Sequence, residues 1–78
     1  MIVLFFARAR DLAGVDRIEI TPAPTNVRLL RDEISRRLPS LTSFLTKCAI
    51  AVGNEFASDD RSLSESDEVA LLPPVSGG

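Results

Sequence analysis

The chain has 78 residues, which is enough for one domain and too few for a second core. It has no histidine and one cysteine, so a zinc site of the usual Cys/His type and a histidine-dependent nucleophile are both excluded. Nine basic and eleven acidic residues give a formal net charge of −2. Because acids follow the arginines along the chain, we expect the basic charge to be offset locally. This argues against a nucleic-acid partner.

The composition also predicts a compartment. A single cysteine is typical of a reducing environment, and nothing in the sequence resembles a secretory signal. The apolar run from Ile2 to Ala7 is far shorter than the ~20 residues of a membrane helix. We therefore expect a soluble, cytoplasmic protein with no membrane partner.

The first half of the chain predicts two strands and a helix. The run Ile2 to Ala7 is apolar at every position, which is typical of a central strand covered on both faces. A polar stretch with a helical turn around Arg10 to Leu12 follows. Residues Asp16 to Thr21 alternate between apolar and polar side chains, which predicts a half-exposed strand paired with the first. Pro22 and Pro24 end that strand.

A helix is predicted from Val27 to Leu38, with Thr25 or Asn26 as its N-cap. Pro39 disfavours helical geometry at the residue before it and ends the helix. Ser40 is the predicted cap of a second, short helix. Helical spacing gives each helix one buried stripe, which comprises Val27, Leu30, Ile34 and Leu38 in the first and Leu41, Phe44 and Leu45 in the second.

The second half of the chain predicts further strands. Cys48 to Val52 is a compact strand with Cys48 in the core, Gly53-Asn54 is a turn, and Glu55 to Ala57 continues beyond it. After a polar loop, Glu68 to Leu72 forms the last strand. A hairpin, a helix that crosses the sheet and a closing strand predict an α+β fold of the β-grasp type, with the first and last strands side by side.

The last six residues, Pro73-Pro74-Val75-Ser76-Gly77-Gly78, differ in composition from the residues before them. Prolines favour extended geometry and cannot continue a central ladder, so we predict a domain at 1–72 and a tail at 73–78. Gly77 and Gly78 lack a Cβ and give a narrow chain end that fits a confined active site. A frayed terminus is the alternative. We interpret the C-terminal carboxylate of Gly78 as the working group, because a carboxylate becomes electrophilic once it is adenylated.

The segment from Asp67 to Gly78 resembles the end of the small subunit of molybdopterin synthase, a ubiquitin-like sulfur carrier, and residues Val3 to Gly14 resemble that family's first strand and turn. The Pro-Pro-Val-Ser-Gly-Gly ending is the discriminating part. Two departures fall in turns: Gly53 stands where Asn is expected, and Ser66 where Gly is usual.

The resemblance implies a carrier that is not an enzyme by itself. An E1-like enzyme would adenylate Gly78 with ATP, a sulfur donor would supply a thiocarboxylate, and the large subunit would use it to convert cyclic pyranopterin monophosphate to molybdopterin. Catalytic residues would lie in the large subunit, with which the family forms a heterotetramer. No cofactor would be bound permanently. The implied partner-binding residues are the tail Pro73, Pro74, Val75, Ser76 and Gly77, together with Phe6 and Arg10.

Several alternatives stay open. Burial statistics for phenylalanine favour burial of both Phe5 and Phe6, and Arg10 is as well explained by solvation. The chain is alternatively a sulfur carrier of the thiamine pathway, although its Phe-Phe strand and Pro-Pro pair argue against this. A non-covalent ubiquitin-like interaction module or a protein-conjugating modifier is the alternative from another class.

Overall fold

The computed structural model describes residues 1–73, and the predicted tail positions Pro74, Val75, Ser76, Gly77 and Gly78 lie outside the described residues. The described part contains five strands, three α-helices and one 3-10 turn. The elements are β1 Ile2–Phe5, α1 Ala7–Ala13, β2 Arg17–Glu19, α2 Val27–Arg37, the 3-10 turn Pro39–Leu41, α3 Thr42–Leu45, β3 Ala49–Val52, β4 Glu55–Phe56 and β5 Glu68–Leu72.

The strands form one mixed sheet in the order β2-β1-β5-β3-β4. β1 and β5 are neighbours, as predicted, and they run parallel, while the other pairs are antiparallel. The parallel pair needs a long connection, and α2 lies within that connection and packs on one face of the sheet. The predicted β-grasp fold is confirmed.

Helix α2 covers the inner face of the sheet. Asn26 is its cap, because its side-chain oxygen accepts a hydrogen bond of 2.9 Å from the backbone N–H of Leu29. Its predicted apolar stripe is buried at Val27, Leu30 and Ile34. The other inner-face residues of the core alternate along the strands, and they are Val3, Phe5, Ile50, Val52, Val69 and Leu71.

Four predictions were wrong in detail. β1 is covered on one face only, since Val3 and Phe5 are buried whereas Ile2 and Leu4 are half-exposed. It ends at Phe5, and the predicted helical turn is a helix of seven residues, α1. Ser40 caps no helix, because its hydroxyl donates to the backbone oxygen of Leu12 at 2.7 Å and so joins the 3-10 turn to α1.

The turn from β3 to β4 sets the position of the sheet's last strand. Gly53 and Asn54 both have positive φ, of 58° and 69°. Two such residues in a two-residue loop give the hairpin turn that fits the twist of paired strands. The resulting register places Phe56 opposite Ala51.

Ion pairs tie α2 to the loop before β5. Arg28 contacts Asp60 at 2.9 Å and Arg31 contacts Asp59 at 3.0 Å. The Arg31 guanidinium also donates to the backbone oxygens of Leu45 and Cys48. Arg28 and Arg31 are thus compensated by acids 32 and 28 residues away, and not by neighbours along the chain as predicted. Local compensation is confirmed only for Arg36 and Arg37, which pair with Glu33.

Candidate functional site

The outer face of the sheet, opposite α2, carries a continuous apolar row across four strands. Leu4 lies opposite Ala70, Ala70 lies opposite Ala51, and Ala51 lies opposite Phe56. Paired residues on neighbouring strands share a face of the sheet, so these side chains form one surface. No helix of the described chain covers this row.

The row forms a trough of about 280 Å³. Two alanines, Ala51 and Ala70, make a low floor between the larger side chains of Leu4 and Phe6 on one side and Phe56 on the other. Phe56 is 69% exposed and Phe6 is 46% exposed. One exposed aromatic side chain thus stands on each side of a floor of small residues. The space between them can take up apolar side chains of a partner. The trough is lined by Leu4, Phe6, Ala51, Asn54, Phe56, Glu68, Ala70 and Leu72.

Phe6 reaches the trough because strand alternation places it on the same face as Leu4. Phe6 itself is extended, and the next residue, Ala7, has a φ of 48°, in the left-handed region that costs a non-glycine residue free energy. Phe5 enters the core and is 2% exposed. Burial of both phenylalanines, which base rates favoured, is therefore wrong.

The described part of the chain ends at one end of the trough. β1 and β5 are parallel, so their C-terminal ends lie at the same edge of the sheet. Phe5 pairs with Leu71, which puts Phe6 level with Leu72. Leu72 lines the trough, and Pro73, the last described residue, is exposed. Of the predicted site residues, Phe6 and Pro73 thus lie together.

Arg10 lies on α1, the helix that starts at the same edge. It is exposed, as is Arg8, and neither forms an ion pair within residues 1–73. The expectation that nearby acids offset these two arginines is wrong. Within residues 1–73 these two charges are therefore free, and they lie at the sheet edge where β5 ends.

Cys48 belongs to the core. Its side chain is 6% exposed and lies 3.5 Å from the Arg31 guanidinium. Burial raises the pKa of the Cys48 thiol, although Arg31 opposes the rise. A buried thiol with a raised pKa is a poor nucleophile, which supports the interpretation of Cys48 as a packing residue.

A second groove lies on the opposite side of the molecule. It runs between the loop 20–25 and α2, and it contains Leu29, which is 47% exposed, and Asp32. Its other charges compensate one another, since Arg36 and Arg37 each contact Glu33 at 2.6 Å and hold the pKa of that carboxyl below its usual range. This groove is remote from the start of the tail.

The sequence reasoning missed most of the trough. Leu4, Ala51, Phe56 and Ala70 were assigned to strands with no role in a site. The available signal was the spacing of Phe56 from Gly53-Asn54, because a two-residue hairpin fixes its register with β3. Within residues 1–73 no group of acidic or cysteine side chains is arranged to hold a metal ion, and no helix there is long and apolar enough to cross a membrane.

A β-grasp domain with an apolar sheet face at the start of its C-terminal tail is a ubiquitin-like protein. A family model described as the ThiS family matches residues 3–78, and the chain belongs to this family. The molybdopterin synthase sulfur carrier subunit of Escherichia coli (strain K12) is 37% identical over 78 residues, which covers 97% of this chain and 96% of the relative.

Two solved structures support the same class. A putative molybdopterin converting factor, subunit 1, from Pyrococcus furiosus superposes with a TM-score of 0.83 at 35% identity and covers 95% of both chains. A chain from the complex of subunits 1 and 2 of the molybdopterin-converting factor of Helicobacter pylori superposes with a TM-score of 0.69 at 28% identity. The superposition covers 99% of this chain and 96% of that one.

Proposed function

We propose that this protein is the sulfur-carrying small subunit of a molybdopterin synthase. The observation that carries the proposal is the apolar trough at the start of a tail that ends in Gly77-Gly78, in a member of the ThiS family. The full-length relative in Escherichia coli, named as a sulfur carrier subunit, supports it. In this proposal residues 1–72 form the domain that docks, and residues 73–78 form the arm that carries sulfur.

The proposed chemistry takes place at the Gly78 carboxylate. An activating enzyme of the E1 type joins that carboxylate to the AMP part of ATP and releases pyrophosphate. A sulfur donor then displaces AMP and leaves a thiocarboxylate on Gly78. The absence of a side chain on Gly77 and Gly78 keeps the acyl carbon open to attack by the sulfur nucleophile. The large subunit supplies the catalytic residues that pass the sulfur to cyclic pyranopterin monophosphate.

In this proposal the trough is the surface that positions the arm. Phe6 and Phe56 are the exposed anchors, and exposed aromatic side chains with a pocket between them are typical of energetically important interface residues. The complex of subunits 1 and 2 in Helicobacter pylori supports a large-subunit partner. If the large subunit is itself a dimer, one carrier on each copy gives a heterotetramer.

Intact-mass measurement tests the carrier function. Incubation with ATP, a cognate E1-like activating enzyme and a sulfur source is expected to raise the mass by about 16 Da, because one oxygen is replaced by sulfur. Omission of ATP is the control and is expected to prevent the gain. No gain under conditions that load a known carrier would contradict the proposal. Covalent attachment to other proteins instead would favour the protein-conjugating modifier.

Substitution of Phe56 tests the docking surface. Phe56→Ser is expected to weaken binding to the large subunit by tenfold or more, on the order of 1.4 kcal/mol, because an exposed aromatic anchor is lost. The control is Leu29→Ser, which removes a similarly exposed apolar side chain from the groove on the opposite side. Isothermal calorimetry measures both affinities. An equal loss in both variants, or a loss in Leu29→Ser alone, would contradict docking through the trough.

A further inference from the structure

The basic side chains fall into two groups. Arg28, Arg31, Arg36 and Arg37, all on α2, form ion pairs with neighbouring acids. Five exposed bases form none within the described residues. Four of them lie on α1, on β2 and just before β3, and they are Arg8, Arg10, Arg17 and Lys47. The fifth, Arg61, lies on the α2 side, where its backbone oxygen accepts from the N–H of Val27. The free positive charge is therefore not spread evenly around the domain.

Three of the free bases lie at the sheet edge from which the tail leaves. Arg8 and Arg10 are on α1, which begins directly after Phe6. Lys47 is two residues before Ala49, and Ala49 pairs with Leu72. Arg17 lies one row inward, opposite Leu4. Two acids, Asp11 and Asp16, are also exposed in this region, so bases exceed acids by four to two.

The other end of the outer face is acidic. Ile2 pairs with Glu19 on one side and with Glu68 on the other, so two exposed carboxylates stand on either side of one half-exposed isoleucine. Glu68 lines the trough directly. Asp67 is beside it and accepts a hydrogen bond from the N–H of Ser64. Two cations near this end already have partners. The amino group of Met1 lies 3.5 Å from Glu65 and donates to the backbone oxygen of Ile20. The Arg37 guanidinium pairs with Glu33 and donates to the backbone oxygen of Glu19 at 3.1 Å.

The two ends are far enough apart to act separately. Ile2 and Phe6 are four residues apart along the chain, which corresponds to about 13 Å in extended geometry. The screening length at physiological ionic strength is about 8 Å. A partner that covers the trough therefore meets an acidic field beside Ile2 and a basic field beside Phe6. Arg17 lies between them, two residues from Glu19 on the same face of β2 and about 7 Å away in extended geometry, so it offsets part of that acidic charge.

We propose that this polarity selects the orientation in which the large subunit docks, with acidic side chains around its cleft mouth facing Lys47, Arg8 and Arg10, and basic side chains facing Glu19 and Glu68. The inference rests on the proposed docking of the trough. In this orientation opposite charges face each other at both ends, whereas the reversed orientation places like charges against each other at both ends. Complementary charge of this kind acts mainly on the association rate.

Charge reversals at matched positions test the polarity. Glu68→Lys and Lys47→Glu are each expected to slow association with the large subunit by about threefold or more at low ionic strength, since rim charges act on the association rate. The difference is expected to shrink at high salt. Asp32→Lys and Arg61→Glu are the controls, because they make the same charge changes at exposed positions on the α2 side. Asp32 lies on α2, and the backbone oxygen of Arg61 accepts from the N–H of Val27 at the start of that helix. Glu19→Lys repeats the acidic test if Glu68→Lys does not fold.

Stopped-flow association rates with the complete large subunit, measured at two salt concentrations, give the readout. Slower association in the trough variants alone supports the inference. Equal slowing in the α2-side controls would overturn it, because net charge rather than position would then matter. So would unchanged rates in every variant. If the parent gains sulfur and binds the large subunit but the variants do not differ in this way, the orientation inference alone fails. If the parent does neither, the proposed function fails.

Discussion

Deletion of Gly78 is expected to abolish sulfur loading and transfer while leaving the stability of the domain unchanged. One residue of extended chain spans at most about 3.6 Å, so the deletion withdraws the terminal carboxylate by that distance. Reacting atoms must approach to about 3–3.5 Å for efficient catalysis, and a shift of this size removes the acyl carbon from the activating site. The truncated chain still ends in glycine. A loss of loading therefore reports the length of the tail and not the chemical nature of its last residue.

Intact mass and thermal unfolding together check this expectation. The control is Ser76→Ala, which keeps both the length of the tail and its Gly-Gly end, and which is expected to load normally. A 16 Da gain (about one oxygen-to-sulfur exchange) in the deletion variant at the parent's rate would contradict the role of Gly78. A clearly lower unfolding temperature would show that the tail stabilises the domain, against its interpretation as a free arm.

The fold followed from the sequence where local pattern and tertiary packing agree. Helix α2 has a capping asparagine, a buried stripe at helical spacing and a proline two residues after its end, and each of these acts within a few residues. β5 was predicted with the bounds that the structure gives, Glu68–Leu72. Where several local patterns indicate the same element, its position is well determined.

The candidate site was less predictable, because its position depends on which faces of the helices and the sheet pack against each other in the folded chain. The apolar run of β1 indicated two covered faces, but the sequence does not say whether the second cover belongs to the same chain or to a partner. The outer face, with Leu4 half-exposed, has no cover within the described chain. The same limit applies to Ser40, whose hydroxyl bonds to Leu12, 28 residues away, instead of capping the helix that follows it.

The ion pairs of the arginines were also hard to predict, because the two partners of a pair can be far apart along the chain. Arg31 and Asp59 are 28 residues apart and form an ion pair, whereas Arg8 and Arg10 have Asp11 close in sequence and form none among residues 1–73. Neighbouring residues on a short helix point in different directions, so sequence proximity is a poor guide to pairing. The separation of acidic and basic charge on the outer face therefore follows only from the structure, which gives the register of the strands.

Ile34→Ala is expected to lower the free energy of unfolding by about 2–5 kcal/mol, because it leaves a cavity beneath the sheet. Ile34 is fully buried on α2, between the helix and the inner sheet face. A domain of this size has a total stability of only about 5–10 kcal/mol, so the change removes a large share of it. The matched control is Leu29→Ala on the same helix, where the side chain is 47% exposed and the expected loss is well below that of Ile34→Ala.

Denaturant unfolding of both variants gives the comparison, and similar losses at the two positions would show that the helix does not pack as described. The same variant also separates stability from docking. Ile34 faces the inner side of the sheet, while the trough lies on the outer side, where Ala70 alternates with the buried Val69 and Leu71. The large-subunit affinity of the folded fraction of Ile34→Ala is therefore expected to equal that of the parent. A weaker affinity per folded molecule would show that the outer face depends on core packing, and that the domain is more than a rigid support for its tail.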